Sequence, residues 1–391
     1  MTEFGSWWLL AFPLFFALGW LAARIDIKQV VTESRALPNS YFKGLNFLLS
    51  EQPDKAIEAF IEVVKLEPET IDLHFALGGL FRKRGELDRA IRMHENLLER
   101  EGLSQEYRLK ALAELGTDYL KAGLLDRAEE VFNRLLGSPM EGLARSQLLE
   151  IYVQEKDWHK AIEAAAVLDK LSSRPLNAEI AHFHCELALL DAVRGANDDA
   201  RGHLQQALDI NRQCVRATMM LGDLEASAAA PRAAIARWRE VEAQSAPHMV
   251  LVVDKLLQAF GATASMEEGL AWLRGLLARQ PSLDLFNSLY NAVLQVQGTA
   301  AAYQLAKEEL RRHPSLGALD KLIEAEMLQT TSERRDVMQS AKELIQAHSQ
   351  RLTRYQCVSC GFKAKQFFWR CPACGRWDSF DPERRESEGS A

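Results

Sequence analysis

Residues 37–102 carry one pattern twice at an offset of 34 residues, and no other feature restricts the fold as strongly. In the first copy Gly44, Phe47, Ala56, Phe60 and Pro68 stand at fixed places; in the second, Gly78, Phe81 and Ala90 take the first three of them. The spacing has a steric reason. Two antiparallel helices cross closely only where side-chain bulk is missing, so Gly44 and Ala56 mark the crossing while Phe47 and Phe60 fill the gap beside it. Pro68 stops the second helix. One such pair cannot bury its own apolar faces, so a single copy predicts neighbours stacked on both sides.

The period is that of the tetratricopeptide repeat. Gly116, Tyr119, Ala128, Phe132 and Leu135 form a third copy, with Gly123 as a helix C-cap. Tyr152 and Ala161 carry a weaker fourth around Lys156-Asp157-Trp158. A fifth rests on Ala188, Ala200, Leu204 and Ala207, and a sixth on Gly222, Ala234, Trp238 and Val241. Phe260, Leu273, Leu276 and Pro281 suggest a seventh, and Tyr290, Ala302, Ala306 and Pro314 an eighth, before a terminal helix near Arg334 to His348. No alternating strand pattern interrupts residues 37–350, so the expected class is all-α, a tetratricopeptide-repeat solenoid. The first helices of such an array line a groove that receives a peptide or a partner protein. Repeat phase points Tyr41, Leu45, Phe75, Arg82, Lys110 and Thr117 into that groove. The competing assignment makes Arg82 and Lys110 solvated and the aromatics core.

Before the array, Phe4 to Ala23 is a run of twenty residues without a charge, the length that crosses a bilayer core. Trp7, Trp8 and Trp20 lie near its ends, as interfacial aromatics do. A cleaved signal peptide would need a basic leading segment, and Glu3 is the only charge ahead of the run. Arg24, Lys28 and Arg35 follow it, which places the C-terminal bulk in the cytoplasm. Residues 1–24 are therefore expected to be a single transmembrane helix.

After Gln350 the composition changes. Cys357-x2-Cys360 and Cys371-x2-Cys374 frame ten residues, a spacing that lets two knuckles close on one tetrahedral metal. Gly361 and Gly375 permit the turns that aim N–H groups at the sulfurs. Disulfides do not suit a cytoplasmic module, and no βαβ pattern supports a redox CxxC. Four thiolates hold zinc or iron, and with every position filled by protein no water is activated. Phe362, Phe367, Phe368, Trp369, Trp377 and Phe380 are too many aromatics for the core of so small a module, so some should dock on the helices. Lys363, Lys365, Arg370 and Arg376 also permit a nucleic-acid ribbon. The chain as a whole has 47 basic and 54 acidic residues, net -7, which gives no general attraction to nucleic acid. The module is bounded at 354–382, and 383–391 reads as a disordered tail.

The array carries no catalytic signature: HExxH, GxxxxGK[ST] and GxSxG are all missing. His182 and His184, two apart on a helix, diverge and read as structural. Cys185 and Cys214 are isolated in sequence and read as small apolar residues. The chain is not expected to be an enzyme.

In the order of its three parts the chain resembles the lipopolysaccharide assembly protein B family of Gram-negative bacteria. The strings that carry the resemblance are NFLLS at Asn46 to Ser50, FRKRGELDRAIRMH at Phe81 to His94, DYLKAGLLDRAEEVF at Asp118 to Phe132, EIAHFHCELAL at Glu179 to Leu189, and the CVSCGF and CPACGRW knuckles. The resemblance implies a single-pass inner-membrane adaptor that regulates lipopolysaccharide biosynthesis. Its implied partners are the membrane-bound AAA+ zinc protease, the lipid A pathway deacetylase whose degradation it promotes, and inner-membrane lipid, with no nucleic acid; a homo-oligomer is compatible with it. The family's rubredoxin-like metal ligands carry over onto Cys357, Cys360, Cys371 and Cys374. The alternatives are a membrane-tethered nucleic-acid-binding zinc ribbon and an envelope-assembly scaffold without a link to proteolysis.

Overall fold

The computed structural model describes residues 13, 15–20, 39–50, 52–66, 70–171, 175–329, 332–383 and 385–386. The expected anchor lies almost wholly outside them. Residues 15–20 are helical, and among the described residues no helix is long and apolar enough to cross a membrane. The chain forms two compact units, residues 1–151 and 152–391.

The first unit holds α1 (Asn39–Leu49), α2 (Pro53–Leu66), α3 (Ile71–Lys83), α4 (Leu87–Leu98), α5 (Gln105–Lys121), α6 (Leu125–Asn133) and the start of α7 (Glu141–Glu155). In the second unit, beyond the end of α7, come α8 (Trp158–Leu171), α9 (Asn177–Arg194), α10 (Asn197–Ile210), α11 (Val215–Ser227) and α12 (Pro231–Gln244). A 3-10 turn at Ala246–Leu251 leads to α13 (Val253–Ala262), α14 (Met266–Arg279), α15 (Leu283–Val296), α16 (Thr299–Arg312), α17 (Leu316–Met327) and α18 (Ser332–Leu352). Among the described residues three short strands follow: β1 (Thr353–Gln356), β2 (Lys363–Ala364) and β3 (Arg385–Glu386), in the order β2-β1-β3, both pairings antiparallel.

The helix crossings occur where the small residues place them. A Cβ added to Gly116 on α5 would lie 2.7 Å from the Phe132 ring of α6. Gly44 meets Phe60, Gly78 meets His94 and Gly222 meets Trp238 in the same way. The turns within pairs also repeat. At Gly85, Gly123 and Gly195 the chain takes positive φ of 79°, 73° and 80°, and the next N–H reaches back to the carbonyls of Phe81, Tyr119 and Asp191. Lys156, Ala229 and Ala264 hold the same left-handed position without being glycine, at φ of 60°, 57° and 56°. Repeat packing imposes this turn even where the local sequence disfavours it.

His94 departs from the pattern in a way that organises the first unit. It occupies the place that Phe60 and Phe132 hold in neighbouring pairs, and it is fully buried. Its Nδ1 lies 2.5 Å from Oδ2 of Asp118, also fully buried, while Oδ1 of Asp118 accepts a 2.7 Å hydrogen bond from Arg82. Arg82 also donates to Glu114 at 2.6 Å. An imidazole in an aromatic slot brings two polar atoms into the core: Asp118 satisfies Nδ1, and Nε2 is buried without a hydrogen-bond partner among the described residues.

Two differences from the sequence reading stand out. Helix α17 was not legible, although Ser315 caps it by accepting from the N–H of Ala318 at 3.1 Å; it pairs with α18, where a single terminal helix was expected. Of the segment from residue 383, expected to be a disordered tail, residues 385–386 form β3, with Arg354 opposite Arg385, while residues 384 and 387–391 lie outside the described residues.

Candidate metal centre

Two matching knuckles build the centre, both in the second unit. In the first, the N–H of Cys357 donates to the carbonyl of Phe362 and that of Gly361 to the carbonyl of Cys357, both at 2.9 Å. In the second, Cys371 to Arg376 and Gly375 to Cys371 repeat the arrangement at the same distances. Gly361 and Gly375 take φ of 76° and 70°, which is what the turn requires of them.

All four sulfurs lie within 4.8 Å of one another. Cys357 and Cys374 are 3.8 Å apart and Cys360 and Cys371 3.7 Å apart. A zinc–sulfur bond of about 2.3 Å gives a tetrahedron with edges of about 3.8 Å, so the donor set fits one tetrahedral ion. The protons agree. Burial opposes ionisation of Cys357, but the Ser379 hydroxyl and the N–H groups of Cys360 and Ser359 outweigh it and bring the thiol to about 6. Cys374 is lowered by the N–H of Arg376. Cys360 receives the N–H of Phe362, yet burial and the neighbouring sulfurs push it up to about 12. Four sulfurs this close lose their last proton only to a cation. The chemistry suits zinc or iron alike, and a bound ion would supply structural cross-linking.

The aromatics beside the ligands face the repeat helices. Trp377 stacks on His182 of α9, with centroids 4.7 Å apart and planes at 14°, and meets Phe183 edge-on at 6.0 Å. Trp369 stacks on His248 of the 3-10 turn at 5.7 Å and 5°. Asp378, at φ 46°, turns its carboxylate to Nε2 of His182 at 2.8 Å. Arg216 of α11, 34 residues after His182 and thus at the same repeat position, lies 5.9 Å from the Trp377 ring and donates to Glu186 at 2.8 Å. Arg370 is turned inward, donating to the carbonyl of Gly375 at 3.1 Å with its guanidinium 5.8 Å from the Trp377 ring. Trp369 and Trp377 thus stack within the protein, while Phe362, Lys363, Lys365 and Arg376 stay exposed.

Below this interface Cys185 and Cys214, isolated in sequence, have sulfurs 3.9 Å apart in a buried cluster, both as free thiols. Their hydrogen bond, and then burial, raises Cys185 well above the usual thiol range. His182 and His184 diverge as expected: His182 meets the metal module, and His184 meets His203.

The residues expected to line a groove lie in the first unit. The side chain of Tyr41 is outside the described residues. Leu45 is exposed at 37%. Phe75 is buried, stacked on Tyr107 at 6.1 Å, with Nζ of Lys110 4.4 Å from its centroid. Lys110 itself remains half exposed, 3.8 Å from Asp72. Arg82 is held by Glu114 and Asp118, and Thr117 donates to the Ala113 carbonyl at 2.8 Å. Lone histidines at 182 and 248 carried no sequence signal for docking, because their partners are nearly 200 and more than 100 residues away.

Residues 43–101 match the family described as Tetratricopeptide repeat, and residues 355–382 match the Rubredoxin metal binding domain. The chain is 32% identical over 378 residues to Lipopolysaccharide assembly protein B of Escherichia coli strain K12, covering 96% of this chain and 97% of that protein. This chain belongs to the lipopolysaccharide assembly protein B family. A second member, from Haemophilus influenzae, is 28% identical over 386 residues, covering 95% of this chain and 97% of that protein. For lipopolysaccharide assembly protein B as a family, both the repeats and the metal module are thus accounted for in one continuous match.

Proposed function

We propose that this chain acts in lipopolysaccharide assembly as an inner-membrane adaptor, holding the lipid A pathway deacetylase beside the membrane-bound AAA+ zinc protease. The observation that carries the adaptor reading is the closed cysteine centre stacked onto the repeat helices through His182 and His248. Four protein sulfurs leave no position for a reacting water, so the ion's role is to fix a binding platform. Among the expected partner contacts whose side chains are described, Leu45 and Lys110 are exposed, with Phe75, Arg82 and Thr117 more covered, and Tyr41 belongs to the same expected set. The N-terminal apolar run supplies the membrane tether, and two contacts on one chain raise the effective concentration of substrate at the protease without catalysis.

Affinity capture from mildly solubilised membranes tests this by comparing the full chain with residues 24–391. The expected result is recovery of the protease by the full chain alone and of the deacetylase by both. Recovery of neither from the full chain sinks the adaptor reading while leaving the family assignment in place.

A further inference from the structure

In the second unit His159, His203 and the carboxylate of Asp191 line a cavity of about 630 Å³, and His184 meets His203 just behind that wall. His159 stands at the start of α8, His184 and Asp191 lie two turns apart on one face of α9, and His203 is on α10. Nδ1 of His184 and Nδ1 of His203 are 3.4 Å apart. Two imidazoles on one tetrahedral zinc, with bonds of about 2.0–2.1 Å, have their nitrogens about 3.3–3.4 Å apart. The other nitrogen of His203, Nε2, faces Oδ2 of Asp191 at 3.6 Å. That is the arrangement in which a carboxylate orients a metal-binding imidazole from behind. The ring of His159 is 6.3 Å from that of His203, and His159 is exposed.

We propose that His184, His203 and His159 form a second metal site, selective for zinc or a similar imidazole-binding divalent ion, with Asp191 as the positioning residue for His203. The site is separate from the cysteine centre in both ligands and chemistry, since imidazole nitrogen replaces thiolate sulfur. Burial, with His203 and His159 nearby, holds His184 down to about 4, which keeps its lone pair free at neutral pH. The cavity admits a cation: Asp157, Asp191, Asp198 and Asp199 line it against Lys156 and Arg194. Its volume also leaves room for water or a carboxylate to complete the coordination, which the cysteine centre does not allow. The rival explanation of the close nitrogens is a direct hydrogen bond between two neutral imidazoles.

The test uses the purified full chain, loaded with zinc and dialysed against metal-free buffer, with retained zinc measured per chain. Wild type should hold two ions and His203→Gln one. Cobalt(II) then separates the sites: the thiolate-to-cobalt charge-transfer absorption of the cysteine centre should persist unchanged in His203→Gln, and helical circular dichroism and a denaturant midpoint close to wild type establish that the repeats of this variant are folded. Asp191→Asn should retain both ions but weaken the second about 10–100-fold in competition with a chromophoric chelator. His159→Gln, at an exposed position, should weaken it as well. One zinc per chain in wild type, or two ions held equally tightly by wild type and His203→Gln, overturns the proposal; the first result identifies the imidazole contact as a hydrogen bond and the second as adventitious surface binding.

Discussion

The indole of Trp377 lies flat on the imidazole of His182, 4.7 Å away across 195 positions of sequence, and Asp378 fixes the same imidazole through Nε2. The metal module is thereby held to the repeat helices by an aromatic stack and a hydrogen bond at one point. Trp377→Ala should lower stability by about 2–3 kcal/mol, less than for a fully buried tryptophan, and make the module more accessible to protease. Trp377→Phe should keep more than half of that. Denaturant unfolding of the two variants checks it, and coincident curves for wild type and Trp377→Ala would exclude the stack as the attachment.

Metal removal should open the module and leave the repeats folded. Cys357, Cys371 and Phe380 are the buried members of the module's own cluster, too few to fold it alone. A structural ion contributes on the order of 10 kcal/mol to such a domain. Chelation, or Cys371→Ser, should shift tryptophan emission to the red as Trp369 and Trp377 become solvated, with helical circular dichroism largely retained. Unchanged emission after complete metal loss would mean that the docked aromatics hold the module without it.

Asp118→Ala should cost about 3–5 kcal/mol, because His94 loses its partner in a fully buried site and Arg82 keeps only Glu114. Replacing all three with apolar groups, Arg82→Met, His94→Phe and Asp118→Leu, should recover most of the loss, since phenylalanine at 94 restores the slot that Phe60 and Phe132 fill. Equal destabilisation of single and triple variants would show that the charged network itself, and not the partners stranded by its loss, carries the stability.

His74 makes the first unit sensitive to acid. Its Nδ1–H donates to the Thr70 carbonyl at 2.9 Å and its Nε2 accepts from Arg100 at 2.9 Å, a pairing that needs the neutral ring. Burial, with a smaller contribution from Arg100, lowers its pKa below 6.5. The unfolded chain therefore takes up the proton first, so this contribution is complete above pH 6.5 and is lost as pH falls beneath it. His74→Gln should flatten the stability profile between pH 7 and pH 5. A slope unchanged by that substitution would assign the acid sensitivity elsewhere.

Ala229→Gly and Ala264→Gly should each stabilise the chain. Both residues are exposed at φ near 57°, where a side chain costs about 1–2 kcal/mol and glycine's extra freedom in the unfolded chain returns about half of that. The expected gain is about 0.5–1 kcal/mol per site in denaturant unfolding. A loss would mean that the flanking helices, not the turn residue, set this conformation.

What could be read from the sequence was local or periodic. Gly44, Gly78, Gly116 and Gly222 announced the helix crossings because each crossing lies within one repeat, sixteen residues from the side chain it admits. The cysteine knuckles announced a metal because each CxxC closes within six residues. Aromatic surplus predicted docking but not its address. Tertiary structure alone decided that His182 and His248 receive the tryptophans, that Cys185 faces Cys214, and that His184 meets His203. Those contacts depend on how successive helix pairs stack, and a repeat period fixes the spacing of positions along the chain without stating which side chains on neighbouring helices meet.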